Sequence, residues 1–417
     1  MPEINLSDIA TGVNGFVLVG QSAGDFSGAS VAFAGDINGD GLADLIVGAP
    51  QGTSAAGAFA GRSYVIFGSA SAGAIELAAI ASGSGGFVIQ GQAAGERSGV
   101  SVAGLGDVNG DGLADVIIGA YLASTSSGNF AGRSYVVFGK TGTVAVELSA
   151  ISAGNGGFVV NGQCAGDQSG KSVSAAGDLN GDGLADLLIG ADGGDPASGV
   201  SAGRSYVVFG KSSTSAVELS IVANGIGGFV VNGQSAADAS GVSVAAAGDV
   251  NGDGLDDLII GAHGASTQND SFAGRSYVVF GKTAAGPVEL SAVAAGNGGF
   301  VINGICVADE SAWSVAGAGD DLPGLELQRI GPRRLAVRVA HEGHRAAERA
   351  ARVGHVKDRR VASLPQGCDR REAVLLDVFD DRALRRRHQP LDHRIALAED
   401  LLVVGRQGLH GADEPGH

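Results

Sequence analysis

The sequence holds one tryptophan, one methionine, three cysteines and nine prolines among 417 residues, and aromatics make up only 5% of it. Cysteine this sparse argues against a disulfide framework, the more so because Cys164 and Cys306 occupy one position in different repeats, 142 residues apart. No apolar run reaches the roughly 18 residues of a helical membrane span, and Met1-Pro2-Glu3-Ile4-Asn5-Leu6-Ser7 shows neither the basic nor the apolar segment of an export signal. Basic residues are scarce as well. Residues 1–320 carry 9 Lys+Arg against 29 Asp+Glu, a net charge of −20, whereas residues 321–417 carry 18 against 15. So acidic an array repels phosphate backbones and anionic lipid, which argues against nucleic acid or a bare membrane as partner and in favour of divalent cations.

Glycine, by contrast, is abundant at 72 residues, and a hydrophobic content of 44% is enough to build a core. Three landmarks recur every 71 residues: Phe16, Phe87, Phe158, Phe229 and Phe300; Asp36, Asp107, Asp178, Asp249 and Asp320; and the Gly-Arg-Ser-Tyr step at Gly61, Gly132, Gly203 and Gly274. Within one period, four short apolar stretches alternate with turn residues, as at Phe87-Val88-Ile89, Ser101-Val102-Ala103, Asp115-Val116-Ile117-Ile118 and Ser134-Tyr135-Val136-Val137-Phe138. Glycines interrupt every window long enough for a regular helix, so the stretches read as strands. Four antiparallel strands per repeat make a propeller blade, which must stack on neighbours to bury its faces; a leucine-rich or β-helical solenoid would have a much shorter period.

Each period contains Asp-x-Asn-Gly-Asp-Gly-Leu-x-Asp. Oxygen donors stand at positions 1, 3, 5 and 9, glycine at 6 permits a sharp turn, and the carbonyl of residue 7 completes a set suited to one calcium ion. The candidate ligands are Asp36, Asn38, Asp40, Leu42 and Asp44; Asp107, Asn109, Asp111, Leu113 and Asp115; Asp178, Asn180, Asp182, Leu184 and Asp186; and Asp249, Asn251, Asp253, Leu255 and Asp257. An EF-hand would need glutamate at position 12, where this chain has Val47, Ile118, Ile189 and Ile260. The simpler alternative is good hairpin-turn chemistry with solvated aspartates. Against it, 12 of the array's 29 acids crowd into four loops, a repulsion that a bound cation would relieve.

The stretch Gly35 to Pro50, Gly-Asp-Ile-Asn-Gly-Asp-Gly-Leu-Ala-Asp-Leu-Ile-Val-Gly-Ala-Pro, resembles the FG-GAP repeats of integrin alpha-chain propellers and their bacterial relatives. The Gly-Ala pair persists at Gly119-Ala120, Gly190-Ala191 and Gly261-Ala262, while the proline becomes Tyr121, Asp192 and His263, and Ser27-Gly28, Ser98-Gly99, Ser169-Gly170 and Ser240-Gly241 replace Phe-Gly. The resemblance implies that the acidic loop joins the two inner strands of a blade and that the Phe16-type strand is the outer strand of the preceding one. It also implies a ring, usually of seven blades, where this chain supplies four complete loops and an interrupted fifth.

Other repeated features carry less. An acid at Asp25, Glu96, Asp167, Asp238 and Asp309 and an arginine at Arg62, Arg133, Arg204 and Arg275 read most simply as solvated turn groups. After Asp320 the motif fails at Leu322 and Gly324, and residues 321–417 hold seven of the eight histidines and 17 arginines with no repeated ligand spacing. The favoured account is translation out of frame after a rearrangement; an in-frame tail would be irregular or partly helical, with Arg371 to His388 as its best helix.

The expected architecture is all-β, a propeller of four-stranded blades over 1–320. The expected function is a calcium-binding, non-enzymatic module for protein or glycan interaction, extracellular or at the cell surface. The alternatives are a non-functional fragment of a larger surface protein and an accessory propeller of a secreted hydrolase. Near-identical blades argue against the asymmetric constellation that catalysis needs. Reading the gene downstream of codon 320 in the other frames is expected to restore the 71-residue pattern; its absence there refutes the frame change.

Overall fold

The computed structural model describes residues 15–69, 74–267 and 271–317, together with Ile9 and four strands between Leu325 and Val378. Each repeat folds into four sequential antiparallel strands. In the first sheet these are Ser30–Gly35, Asp44–Ala49, Arg62–Ile66 and Gly86–Gln90. The second is built from Val102–Gly106, Asp115–Ala120, Arg133–Val137 and Gly157–Asn161, and the third from Ser172–Gly177, Asp186–Ala191, Arg204–Val208 and Gly228–Asn232. Ser243–Gly248, Asp257–Ala262, Arg275–Val279 and Gly299–Asn303 form the fourth. These are propeller-like blades. The acidic loop joins the first two strands of each sheet, and the Phe87-type strand lies at the opposite side, fourth in order.

Neighbouring blades are interlocked. Val146–Glu147, which precedes the last strand of the second blade, pairs in parallel with Gly86–Gln90 of the first, and Val217–Glu218 and Val288–Glu289 repeat the arrangement. Each two-residue strand runs into a single helical turn, Leu77–Ala81, Leu148–Ser152, Leu219–Val222 or Leu290–Ala294. These turns are far shorter than the windows that the glycines interrupt. Four or five residues fit between the glycines, and burial of Leu77 with Ile80, one turn apart, supplies the stability that so short a helix lacks by itself.

Side chains from successive sheets interdigitate into shared cores. Ile46, Val65, Phe87 and Ile89 of the first blade pack with Val102, Val116, Ile118, Tyr135 and Val137 of the second, and equivalent clusters follow at the next two junctions. Backbones meet just as closely. A Cβ placed on Gly48, Gly119 or Gly190 would stand 2.0, 1.9 or 2.0 Å from the carbonyl oxygen of Gly99, Gly170 or Gly241 in the following blade. The outward face of the first blade is different, because Val31 is 65% and Phe33 77% exposed while the equivalent Val102 is 4% exposed. The interior repeats place Gly104, Ala175 and Ala246 where Phe33 stands. A Cβ on Gly104 would already lie 2.4 Å from the Phe33 carbonyl oxygen.

The repeated acids and arginines, read from sequence as solvated, are largely buried. Asp25, Glu96, Asp167 and Asp238 are 7%, 6%, 2% and 4% exposed. Arg62, Arg133 and Arg204 reach the first three at 3.8, 3.2 and 3.5 Å. Beside them the hydroxyls of Tyr64, Tyr135, Tyr206 and Tyr277 donate to Gln21, Gln92, Gln163 and Gln234 at 2.7 to 2.9 Å. The acid and the glutamine both belong to the segment that enters a blade from its predecessor, so the cluster clasps that crossover to the third strand. Among the described residues Cys164 is a free, exposed thiol.

Beyond the repeats, Leu325–Arg329, Leu335–Val339, Arg349–His355 and Val374–Val378 pair as an antiparallel sheet. This corrects the irregular or partly helical expectation for the tail: Val374-Leu375-Leu376-Asp377-Val378, inside the proposed helix, is apolar and flanked by valines that favour a strand. The fifth acidic loop at Asp320, Leu322 and Gly324 lies outside the described residues, as does everything from 379 onward. Among the described residues no helix is long and apolar enough to cross a membrane.

The close approach at the Gly-Ala step is directly testable. Gly190→Ala is expected to cost about 1–3 kcal/mol through overpacking and to lower the melting temperature by several degrees. Gly142→Ala, where a Cβ would meet nothing within 4 Å, serves as control and should be neutral or slightly stabilising. Equal melting temperatures for the two variants would contradict the packing described.

Candidate metal centre

A β-bulge introduces each acidic loop. In the first blade the register shifts between Phe33 and Gly35, and Gly35 takes a left-handed conformation, φ 78°. The chain is thereby turned out of the sheet and Asp36 is aimed back over the loop. Its Oδ1 accepts the N–H groups of Gly39 and Asp40 at 2.8 and 3.1 Å, and its Oδ2 accepts that of Gly41 at 2.8 Å. Asn38 Oδ1 accepts Asp40 N–H at 2.8 Å, the Asn38 amide donates to Asp40 Oδ2 at 2.9 Å, and Asp40 Oδ1 accepts Leu42 N–H at 2.9 Å. The pattern returns around Asp107, Asn109 and Asp111 and around Asp178, Asn180 and Asp182. In the fourth loop Asp249, Asn251 and Asp253 repeat five of its six bonds, without that from Asp253 N–H to Asn251 Oδ1.

The ninth-position aspartates sit beneath these turns. Asp44, Asp115, Asp186 and Asp257 have no exposed surface. One oxygen of Asp44 accepts the Ile37 N–H at 2.9 Å and the other the Gly68 N–H at 2.7 Å, and the three equivalents do the same with Val108 and Gly139, Leu179 and Gly210, and Val250 and Gly281. Each buried carboxylate thus ties the start of the loop to the turn after the third strand. Burial pushes its pKa up against these two bonds, which pull it down, and the two loop aspartates push it up further. Asp115 reaches about 7 and Asp186 and Asp257 about 6; Asp44 is raised in the same direction.

The structure therefore brings residues 1, 3 and 5 of each motif together in an exposed or half-buried turn and holds residue 9 below it; Leu42 is 47% exposed at the loop's far side. Among the described residues no three His, Cys, Asp or Glu side chains are gathered on one point closely enough to hold a metal ion. The donor set nevertheless fits a hard cation. Every donor is oxygen, and oxygens such as Asp36 Oδ2, which accept one N–H, keep a second lone pair, whereas Asp36 Oδ1 already accepts two. Consecutive loops also touch: the Asp36 carbonyl accepts the Ala114 N–H at 3.0 Å and the Asp107 carbonyl accepts the Ala185 N–H at 2.9 Å. Sequence periodicity located the loops, but these bonds between loops join residues about one repeat apart and leave no local signature.

Four stretches of the chain, residues 27–66, 98–137, 169–208 and 240–279, match the FG-GAP repeat family. Each match runs from just before the first strand of a blade to the end of its third. The chain is 33% identical to integrin alpha-4 of Xenopus laevis over 174 residues, 41% of this chain and 15% of that protein. It is 38% identical to integrin alpha-2 of Mus musculus over 96 residues, 23% of this chain and 8% of that protein. The chain thus spans only a small part of the length of these relatives.

The raised carboxylates set a sign for pH. Below the ordinary value of 3.8 both folded and unfolded chains are protonated at Asp115; between about 4 and 7 the folded chain keeps protons that the unfolded chain has lost. Stability in chelator should accordingly fall as pH rises through that window, with Asp186 and Asp257 adding to the fall up to about 6. Urea midpoints across the window measure it. Asp115→Asn should flatten the slope, and a midpoint that climbs steadily with pH would overturn the assignment.

Proposed function

Given a chain that carries four FG-GAP repeats and is similar in sequence to integrin alpha subunits, we propose that residues 1–320 form a calcium-braced, propeller-like adhesion module that binds a protein or glycan outside the cell. One observation carries this reading: the same oxygen-only loop, seated on the same buried aspartate, recurs in four successive blades. In the second blade Asp107, Asn109, Asp111 and Asp115, with the Leu113 carbonyl, would hold the ion, and corresponding residues serve the others. A bound calcium supplies positive charge that offsets three carboxylates per loop. The chain's own residues do the rest: glycines turn the loop, backbone amides orient the carboxylates, and contacts between loops hand the order of one blade to the next.

Repetition favours a scaffold over a catalyst, because a reaction centre calls for one asymmetric set of groups and these loops offer the same set in every blade. Three carboxylates without a bidentate glutamate suit affinities of order 10⁻⁴–10⁻³ M, the range of extracellular modules. The similarity to integrin alpha chains supports the proposed location.

Millimolar calcium should raise the melting temperature relative to chelator, since a ligand bound only by the folded state stabilises it. Asp111→Ala should remove about one of the ions counted by equilibrium dialysis, the other loops keeping their full donor sets. Hydrogen-exchange protection should drop around the second blade and its neighbours and persist near Asp253. Identical melting with and without calcium would sink the proposal.

A further inference from the structure

The blades are near copies of one another, so the places where they differ are informative. The residue after each Gly-Ala step is Pro50, Tyr121, Asp192 and His263 in turn. Ala29, Lys171 and Val242 directly precede a first strand, and Val100 and Trp313 hold the equivalent place in their repeats. Both positions lie at the end of the sheets opposite the acidic loops, because the first strand begins where the second finishes. Size, polarity and charge change there from blade to blade, while the loops and the cores stay constant.

Across the third blade, the fourth and the segment that follows, these variable residues touch. Lys171 Nζ pairs with Asp192 Oδ2 at 2.5 Å. Asp192, Lys171 and Glu310 all act electrostatically on His263, whose burial favours the neutral imidazole. His263 in turn stands edge-on to Trp313, ring centres 4.3 Å apart at 78°. Two polar atoms in this track are buried without a hydrogen-bond partner: Oδ1 of Asp192, a residue only 7% exposed, and Nδ1 of His263. Buried polar groups of folded proteins are nearly always bonded, and whereas repeated serines such as Ser63, Ser134 and Ser205 leave the same orphan hydroxyl in successive blades, these two orphans belong to residues that do not repeat. Trp313, 61% exposed, offers a ring face beside them.

We propose that Lys171, Asp192, His263 and Trp313 form the recognition site of this module and that its ligand is a neutral sugar. The inference rests on the interaction-module reading and names the ligand class. Lys171 and Asp192 cancel each other's charge and burial favours the neutral imidazole, which leaves Glu310 as the one uncancelled charge near the track and argues against an anionic ligand; hydroxyls, which both donate and accept, match an orphan carboxylate oxygen and a ring nitrogen. The indole gives the apolar face of a pyranose something to lie against, the usual pairing of one aromatic wall with a few placed polar groups.

Trp313 is the sole tryptophan, so its emission reports this place alone. The full chain in calcium is titrated with neutral oligosaccharides of glucose, galactose, mannose and N-acetylglucosamine, and separately with oligolysine and an uncharged peptide. A saturable emission change with at least one sugar is expected, weakened tenfold or more by Asp192→Ala and by His263→Ala, each of which should keep the calcium-dependent melting shift. Silence towards every sugar in a protein that still responds to calcium overturns this inference and leaves the module reading intact, whereas loss of the calcium response strikes the module reading itself. A response to either peptide in place of sugar, or a sugar response that survives both substitutions, also overturns the site.

Discussion

A carboxylate with no exposed surface, gripped at both oxygens by backbone N–H groups, underlies every blade. Burying a charge is costly unless it is hydrogen-bonded, and Asp44 and its equivalents meet that condition with two amides drawn from separate parts of the chain. One amide starts the acidic loop and the other follows the third strand, so a single side chain fixes the ends of three strands relative to one another. The exposed turn above it, the bulge at Gly35 and the contact with the next loop all take their positions from that anchor. Because burial and the two loop aspartates raise its pKa while the two backbone N–H bonds lower it, the anchor is also a point at which protonation and fold are coupled.

Much of this was legible in the sequence because the information repeats. A period of 71 residues marked four strands and one loop per unit, and three independent landmarks kept the same register. What escaped was short or nonlocal. The turn at Leu77–Ala81 is too brief to show a helical periodicity, and it stands only because Leu77 and Ile80 are covered by the sheet. The two-residue parallel strands have no pattern to read at all. Arg133 and Glu96 are 37 residues apart, and nothing in their local sequence tells a buried clasp from two solvated charges. For the loops the residue types were evident, but the division between an exposed turn and a buried anchor was not, since nothing in the local sequence shows that the position-9 aspartate has no exposed surface.

Constancy and variation divide the blades between them. Residues that hold the sheets together are repeated almost without change, and each junction between blades uses the same glycine approach, the same aromatic hydroxyl and the same core. The opposite rim is freed from those duties. Substitutions there alter neither the packing of Ile46 and Phe87 nor the seating of Asp44, so the rim can diversify while the fold stays fixed. A repeated scaffold with one unrepeated edge separates the requirements of stability from those of recognition.

Phe33 sets the first blade's outward face apart from the interior junctions. Between the interior blades a duplicated 71-residue unit would find glycine or alanine at this position and could be spliced in with its neighbours unchanged. Ahead of the first strand the same unit would meet a phenyl ring where its backbone must pass. A unit packed against that face would have to displace the ring, and a designer wishing to add a blade there would have to begin by replacing one aromatic residue.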